Sequence, residues 1–274
     1  MVPPWVAPVP PASPNPPQDG DGAGQDGQSP TVPNQSAPQQ PVQAQPSPIA
    51  PAARFGGARL NLGKFGRGGD RRDMQRGLRD YVRKGYGGRA TAVRRFGGTA
   101  STAGALYGAL SGVAGGHAAA PGSPLDPAIL AGRSAREVMD AIVEAVRPAD
   151  GTQDAEASRA AIKDALSELL TMFPDADLLN LTEDQRVTAI ERFVAIDVYQ
   201  RAMLDIGKAI QEKAPTATVG LSRLKEVKEY VKQTVAAAFR KLHGAGHRVT
   251  TGRVNEVVRA ALEETFRVFE EYRR

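Results

Sequence analysis

Three sets of residues in this 274-residue chain are spaced so that they could do chemistry. Asp197, Arg201 and Asp205 stand four apart, which puts two carboxylates and a guanidinium on one face of a helix. Two such carboxylates could act as general acid and general base. The arginine between them favours the charged form of both, the wrong state for an acid, so a salt-bridge ladder is the reading preferred. His243 and His247 are also four apart, the spacing of two metal ligands on a helix. Gly244 and Gly246 interrupt the helix between them, His117 is remote, and a zinc site needs a third protein ligand. Their expected role is that of cations at a helix C-terminus. No Ser/His/Asp pattern is visible. The chain does not read as an enzyme, and no metal or cofactor is expected.

The third set is a basic block. Residues 54–96 hold thirteen Lys and Arg against three Asp, a net charge of +10. Residues 1–53 hold three Asp and no Lys or Arg, and residues 97–274 carry a net of −2. The positive field is therefore local. Arg71, Arg72, Arg76, Arg79, Arg83, Arg89, Arg94 and Arg95 are its candidate binding residues. They could grip the phosphates of a nucleic acid, with Phe65, Tyr86 or Phe96 stacking on bases. They could equally dock an acidic protein surface. The glycine-rich patterns at 66–69 and 97–104 lack G-x-x-x-x-G-K-[ST] and follow no predicted strand, which argues against a nucleotide loop.

Cysteine is absent, which excludes disulfides, thiolate metal sites and a Cys nucleophile and fits a reducing compartment. No charged n-region precedes an apolar h-region, so a cytoplasmic location is expected.

These residues need elements to hold them. Residues 1–53 are rich in Pro, Gln, Ser and Gly; "SPNPPQDGDGAGQDGQSP" has no aliphatic side chain larger than Ala. Such a segment buries too little apolar area to offset its conformational entropy and is expected to be disordered. Within it, Pro3, Pro4 and Trp5 form a candidate tail anchor, because one aromatic can bury a large area in a partner's pocket. Residues 54–69, with Phe55, Leu60, Leu62 and Phe65, are expected to be extended or irregular. Asp70 is a good N-cap, and Met74, Leu78, Tyr81 and Val82 form one helical stripe with the arginines mostly off it. Gly85, Gly87 and Gly88 end that helix, and a short helix follows over 89–96.

Gly104, Gly108, Gly112 and Gly116 then recur every four residues, a smooth strip suited to close helix packing. Their neighbours are mostly Ala, Ser and Thr. These supply too little transfer energy for spontaneous spanning, so packing in water is expected over membrane insertion. Beyond residue 121, Ser134/Glu137 and Thr182/Gln185 form capping boxes. Helices are expected near 135–147, 153–173, 183–213, 219–242 and 251–273, the third being the longest. It is apolar on several faces and therefore central. The fold class is all-α: a multi-helix bundle preceded by a long disordered Pro/Gln/Gly-rich N-terminal tail. Three regions follow: a tail at 1–53, a basic Gly/Arg-rich segment with small-residue helices at 54–120, and a helical bundle domain at 121–274.

Several strings carry a family resemblance. They are "VPPW", a Pro-rich spacer, "GARLNLGKFGRGGDRRDMQRGLRDYVRKGYGGRATAVRRFGGTASTAGALYGAL", "SPLDPAILAGRS" and "DGTQDAEASRAAIKDALSELL". Together they resemble QatB, a component of the bacterial Qat anti-phage defence system. The resemblance implies a non-catalytic partner of an ATPase (QatA), a QueC-like enzyme (QatC) and a TatD-like nuclease (QatD). Related systems attach a deazaguanine-type base to a protein N-terminus through a QueC-like enzyme, so a substrate or scaffold role is implied here. Family members carry a Gly/Ser-rich leader ahead of "VPPW". Here that block begins at Met1–Val2, and either a late start or a chain without the leader is expected. The alternative function is a nucleic-acid-binding effector or sensor using residues 54–96.

Overall fold

A computed structural model describes residues 53–114 and 122–272. The chain divides into two units, Met1–Pro48 and Ile49–Arg274, and every described residue belongs to the second. Among the described residues the fold is all-α, with eleven α-helices, one π-turn and no strand.

Helix α8 (Glu183–Ile206) is the hub. It opens on the Thr182/Gln185 capping box. Six consecutive residues, Phe193 to Val198, are buried, as expected of a helix covered on several sides. Around it pack α4 (Gly97–Ala114), α7 (Gln153–Met172) and α10 (Ala217–Gly244). Helix α6 (Ala135–Val146), with the Ser134/Glu137 capping box, leans on α4 and α7; the single-turn α5 (Pro127–Leu130) precedes it. Helix α11 (Val254–Glu270) lies against α4 and α10 and is covered in turn by α2 (Arg71–Asp80) and α3 (Arg89–Arg95). Helix α1 (Gly56–Gly68) bridges α2 and α9 (Lys208–Lys213). One hydrophobic core runs through all of these layers.

Three expectations are corrected. Residues 56–68 are helical rather than irregular, despite five glycines in thirteen positions. Each interior glycine costs a helix up to about 1 kcal/mol against alanine. Tertiary packing outweighs that cost. Ala58, Leu62 and Phe65 are buried at i, i+4 and i+7. At Gly66 a Cβ would stand 2.6 Å from the carbonyl oxygen of Ile210, so only glycine lets α1 sit this close to α9. The helix closes at Gly69, which takes the left-handed conformation (φ 76°) and donates its N–H to the Phe65 carbonyl at 2.7 Å.

Second, the long helix expected over 183–213 stops at Ile206 and resumes at Lys208. The longest helix is α10, with 28 residues. Gly207 marks the break, and a Cβ there would meet the Met203 carbonyl oxygen at 2.7 Å.

Third, the four-residue glycine strip of α4 is not a continuous packing seam. Gly104 faces the Asn255 side chain with no room for a Cβ, whereas Gly108 and Gly112 have open space. Gly116 lies outside the described residues. The core face of α4 is instead Ala100, Ala103, Leu106, Tyr107 and Leu110. No helix among the described residues is long and apolar enough to cross a membrane.

A continuous run of aromatic contacts ties the basic segment to the bundle. Phe55 stacks on Tyr81 (centroids 5.1 Å apart), Tyr81 meets Tyr86 edge-on (5.1 Å), and Tyr86 meets Phe96 (6.1 Å). Phe96 then meets Phe266 (5.0 Å), Phe266 meets Phe269, and Phe269 stacks on Tyr230. Such pairs add about 0.5–1.5 kcal/mol each beyond area burial.

Candidate interaction surface

Asp70 caps α2 as expected, accepting a hydrogen bond from the Arg72 amide. Met74, Leu78, Tyr81 and Val82 are buried along one stripe. At about 100° per residue, Arg72, Arg76, Arg79 and Arg83 fall on the opposite side. The structure therefore collects four of the eight candidate arginines on one face, with Arg71 exposed at its N-terminal end. Arg76 pairs with Asp73 at 3.2 Å, and Arg79 pairs with the buried Asp80 at 3.4 Å. Among the described residues, Arg71, Arg72 and Arg83 have no carboxylate partner and are exposed.

The three arginines of α3 do not join that face as a group. Arg89 turns to α11, 3.9 Å from Glu263 and 3.8 Å from Glu271. Arg94 donates to Thr91 on its own helix. Arg95 is exposed and lines a small cavity of about 240 Å³ with Arg54, Tyr86, Asp154, Arg201 and Asp205. Pro3, Pro4 and Trp5, the candidate anchor, lie outside the described residues.

The aromatics offered as base-stackers are taken up by packing. Phe65 and Phe96 are buried, and Tyr86 is half-buried within the aromatic run. A buried ring presents no face to a base, so phosphate contacts alone would remain for a nucleic acid on this segment.

The expected Asp197–Arg201–Asp205 ladder splits in two. Asp197 is fully buried and holds Arg201 Nε at 3.0 Å. It also accepts from Thr99 (2.5 Å) and Ser158 (2.7 Å), so helices α4, α7 and α8 meet at one carboxylate. Arg201 reaches on to Asp154 at 3.4 Å, away from Asp205. Two hydroxyl donors and a guanidinium from three helices converge on this one buried carboxylate, which makes it a structural hub.

Asp205 is held by two tyrosines that sequence reasoning did not associate with it. The Tyr81 hydroxyl donates to Asp205 Oδ2 at 3.0 Å and the Tyr86 hydroxyl at 3.2 Å. The π-turn Tyr81–Gly85 makes this possible. Residues i and i+5 of an α-helix would stand roughly 140° apart. The wider turn brings the two hydroxyls to 3.2 Å, and the Tyr86 amide donates to the Tyr81 carbonyl at the same distance. Gly85 permits it, because a Cβ there would clash with the Phe55 ring. Burial, then the charges of Tyr86 and Asp205, push the Tyr81 hydroxyl well above its ordinary pKa; burial also raises that of Tyr86. Both stay protonated and act as donors. No local sequence signal announces a π-turn beyond the glycines that follow it.

His243 lies in the last turn of α10 and His247 beyond its end, and among the described residues no three His, Cys, Asp or Glu side chains cluster as metal ligands.

Fold and surface together define an all-helical, charge-asymmetric body. Among the described residues it has a buried carboxylate hub at Asp197 and a cationic layer at its N-terminal side. Residues 87–269 match the family described as Qat anti-phage system associated protein QatB, and the chain belongs to that family. It is thereby a component of the Qat anti-phage defence system. Searches of curated proteins and of solved structures return no match. The matched span begins just before α3, so α1 and α2 lie outside it.

Proposed function

We propose that this chain is a non-catalytic substrate and scaffold of the Qat system. A QueC-like partner enzyme modifies or processes its N-terminal segment while the helical body provides the docking surface. The observation that carries this reading is the cationic face of Arg71, Arg72 and Arg83, which have no carboxylate partner among the described residues, on a body whose buried carboxylates Asp80 and Asp197 take internal donors. A surface field of one sign steers and orients a partner of the opposite sign. The ATPase and the TatD-like nuclease of the system are further partners in this reading, and the assembly works in the cytoplasm.

Intact-mass measurement of the full chain co-expressed with the QueC-like enzyme tests it. The expected result is a mass shift that maps to residues 1–53. An unaltered mass, together with full phage protection by a chain lacking residues 1–53, would contradict it.

The three unpaired arginines also support a second reading, a nucleic-acid-binding subunit. That reading predicts a gel shift at low salt whose affinity falls steeply as salt rises.

A further inference from the structure

We infer that the outer face of α1 is a docking groove for an acidic peptide segment bearing an aliphatic anchor, supplied by a partner protein. Few large apolar side chains are exposed among the described residues, and two of them, Leu60 (63%) and Leu204 (52%), line one groove. Its volume is about 700 Å³, and α1, the end of α8 and α9 form its walls. Leu60 also borders a second groove of about 460 Å³ between α1 and α2, so it stands on the ridge between the two. An isolated exposed leucine needs no explanation, but two that share a concave, charge-lined site do.

The geometry follows from how α1 is held. Gly63 and Gly66 press against α9, and Ala58, Leu62 and Phe65 face the core. Leu60, Lys64 and Arg67, at i, i+4 and i+7, are thereby turned outward as one stripe. Arg59, Lys208 and Lys213 complete the rim of the larger groove. Against these five cations stand two carboxylates. Asp205 is already held by Tyr81 and Tyr86, and Glu212 lies 3.5 Å from Lys208. The second groove adds Arg76, Arg79 and Lys84 against Asp80 alone.

An occupant must therefore bring negative charge for the rim and an aliphatic or aromatic side chain for the floor. An acidic amphipathic segment does both, by the helix-in-groove mode of recognition. A nucleic acid would satisfy only the rim. Its bases need aromatic platforms, and leucine gives a phosphate backbone nothing. This inference does not depend on which enzyme acts on the chain, and it concerns residues distinct from the α2 arginines with no carboxylate partner.

The test is fluorescence polarisation with the full chain. The probe is a labelled amphipathic peptide of Glu, Ala and Leu; a Leu→Ser version and a single-stranded oligothymidine serve as comparisons. The leucine peptide should bind and the serine version should bind about tenfold more weakly or worse, a difference of roughly 1.4 kcal/mol. Leu60→Asp and Lys64→Glu should each weaken the leucine peptide by a similar factor. Leu221→Asp changes an equally exposed leucine (65%) outside both grooves and should leave binding unchanged. Thermal unfolding of each variant checks the fold, and Leu60→Ser gives a milder second substitution at the same position. Failure of the full chain to bind the leucine peptide would overturn the inference. So would equal weakening by Leu221→Asp, or displacement of the peptide by the oligonucleotide with no sensitivity to Leu60.

Discussion

The cations of the bundle and those of the N-terminal layer are the same residue types in opposite situations. In the bundle, several cations are matched by carboxylates on neighbouring helices. Lys228 and Lys232 of α10 reach Glu168 of α7, Lys163 of α7 reaches Asp140 of α6, and Lys241 and Arg267 share Glu264 between α10 and α11. In the layer, thirteen cations meet three carboxylates within residues 54–96, and several have no carboxylate partner among the described residues. These cross-helix pairs belong to the fold. In the function proposed above, the charge of the layer is left for a partner. Removing a charge should cost stability in the first region and binding in the second.

The sharpest contrast is at Asp197. Asp197→Ala removes the acceptor for Thr99, Ser158 and Arg201 in a fully buried site. Loss of one partner from a buried ion pair costs about 3–5 kcal/mol. Chemical denaturation should show that loss as a lower midpoint with an unchanged slope. Asp197→Asn, which keeps an acceptor oxygen, should lose less.

A smaller effect is expected at the solvent edge of the bundle. The Arg267 side chain, and then Lys241, hold the Glu264 carboxyl down to about 2 from an ordinary value of 4.5. A carboxyl depressed in the folded state stabilises above its unfolded value, and that contribution fades as pH falls through the folded value. Glu264→Gln should therefore lower stability at neutral pH, by about 1 kcal/mol or less for a pair at the solvent edge. The gap to the parent chain should close between pH 4.5 and about pH 2. A gap of constant size across that range would show that the pair is not linked to folding.

How much of this was legible in the sequence divides along the same line. The capping boxes at Ser134 and Thr182 and the Asp70 N-cap are local hydrogen-bond patterns, and each stands where the residues indicate. The hub role of α8 followed from apolar residues on several faces. Helix α1 was hidden, because its glycines read as breakers until α9 is placed against them, and Leu60 masked the true stripe through Ala58. The splitting of the Asp197–Arg201–Asp205 ladder was hidden too. Spacing by four shows which side chains can meet on one helix, whereas Thr99, Ser158, Tyr81 and Tyr86 arrive from other elements. The division of the arginines likewise depends on α11 and its C-cap, where Glu263 and Glu271 claim Arg89.

The central claim is that the layer's unpaired charge serves a partner and the fold does not need it. The most direct test is the double reversal Arg72→Glu/Arg83→Glu, measured both for thermal unfolding and for co-purification with the QueC-like enzyme. Exposed sites without partners should shift stability by no more than about 0.5 kcal/mol. The account predicts an unchanged unfolding transition and loss of the enzyme from the purified complex. Retention of the enzyme at the parent level, with the transition unchanged, would contradict it.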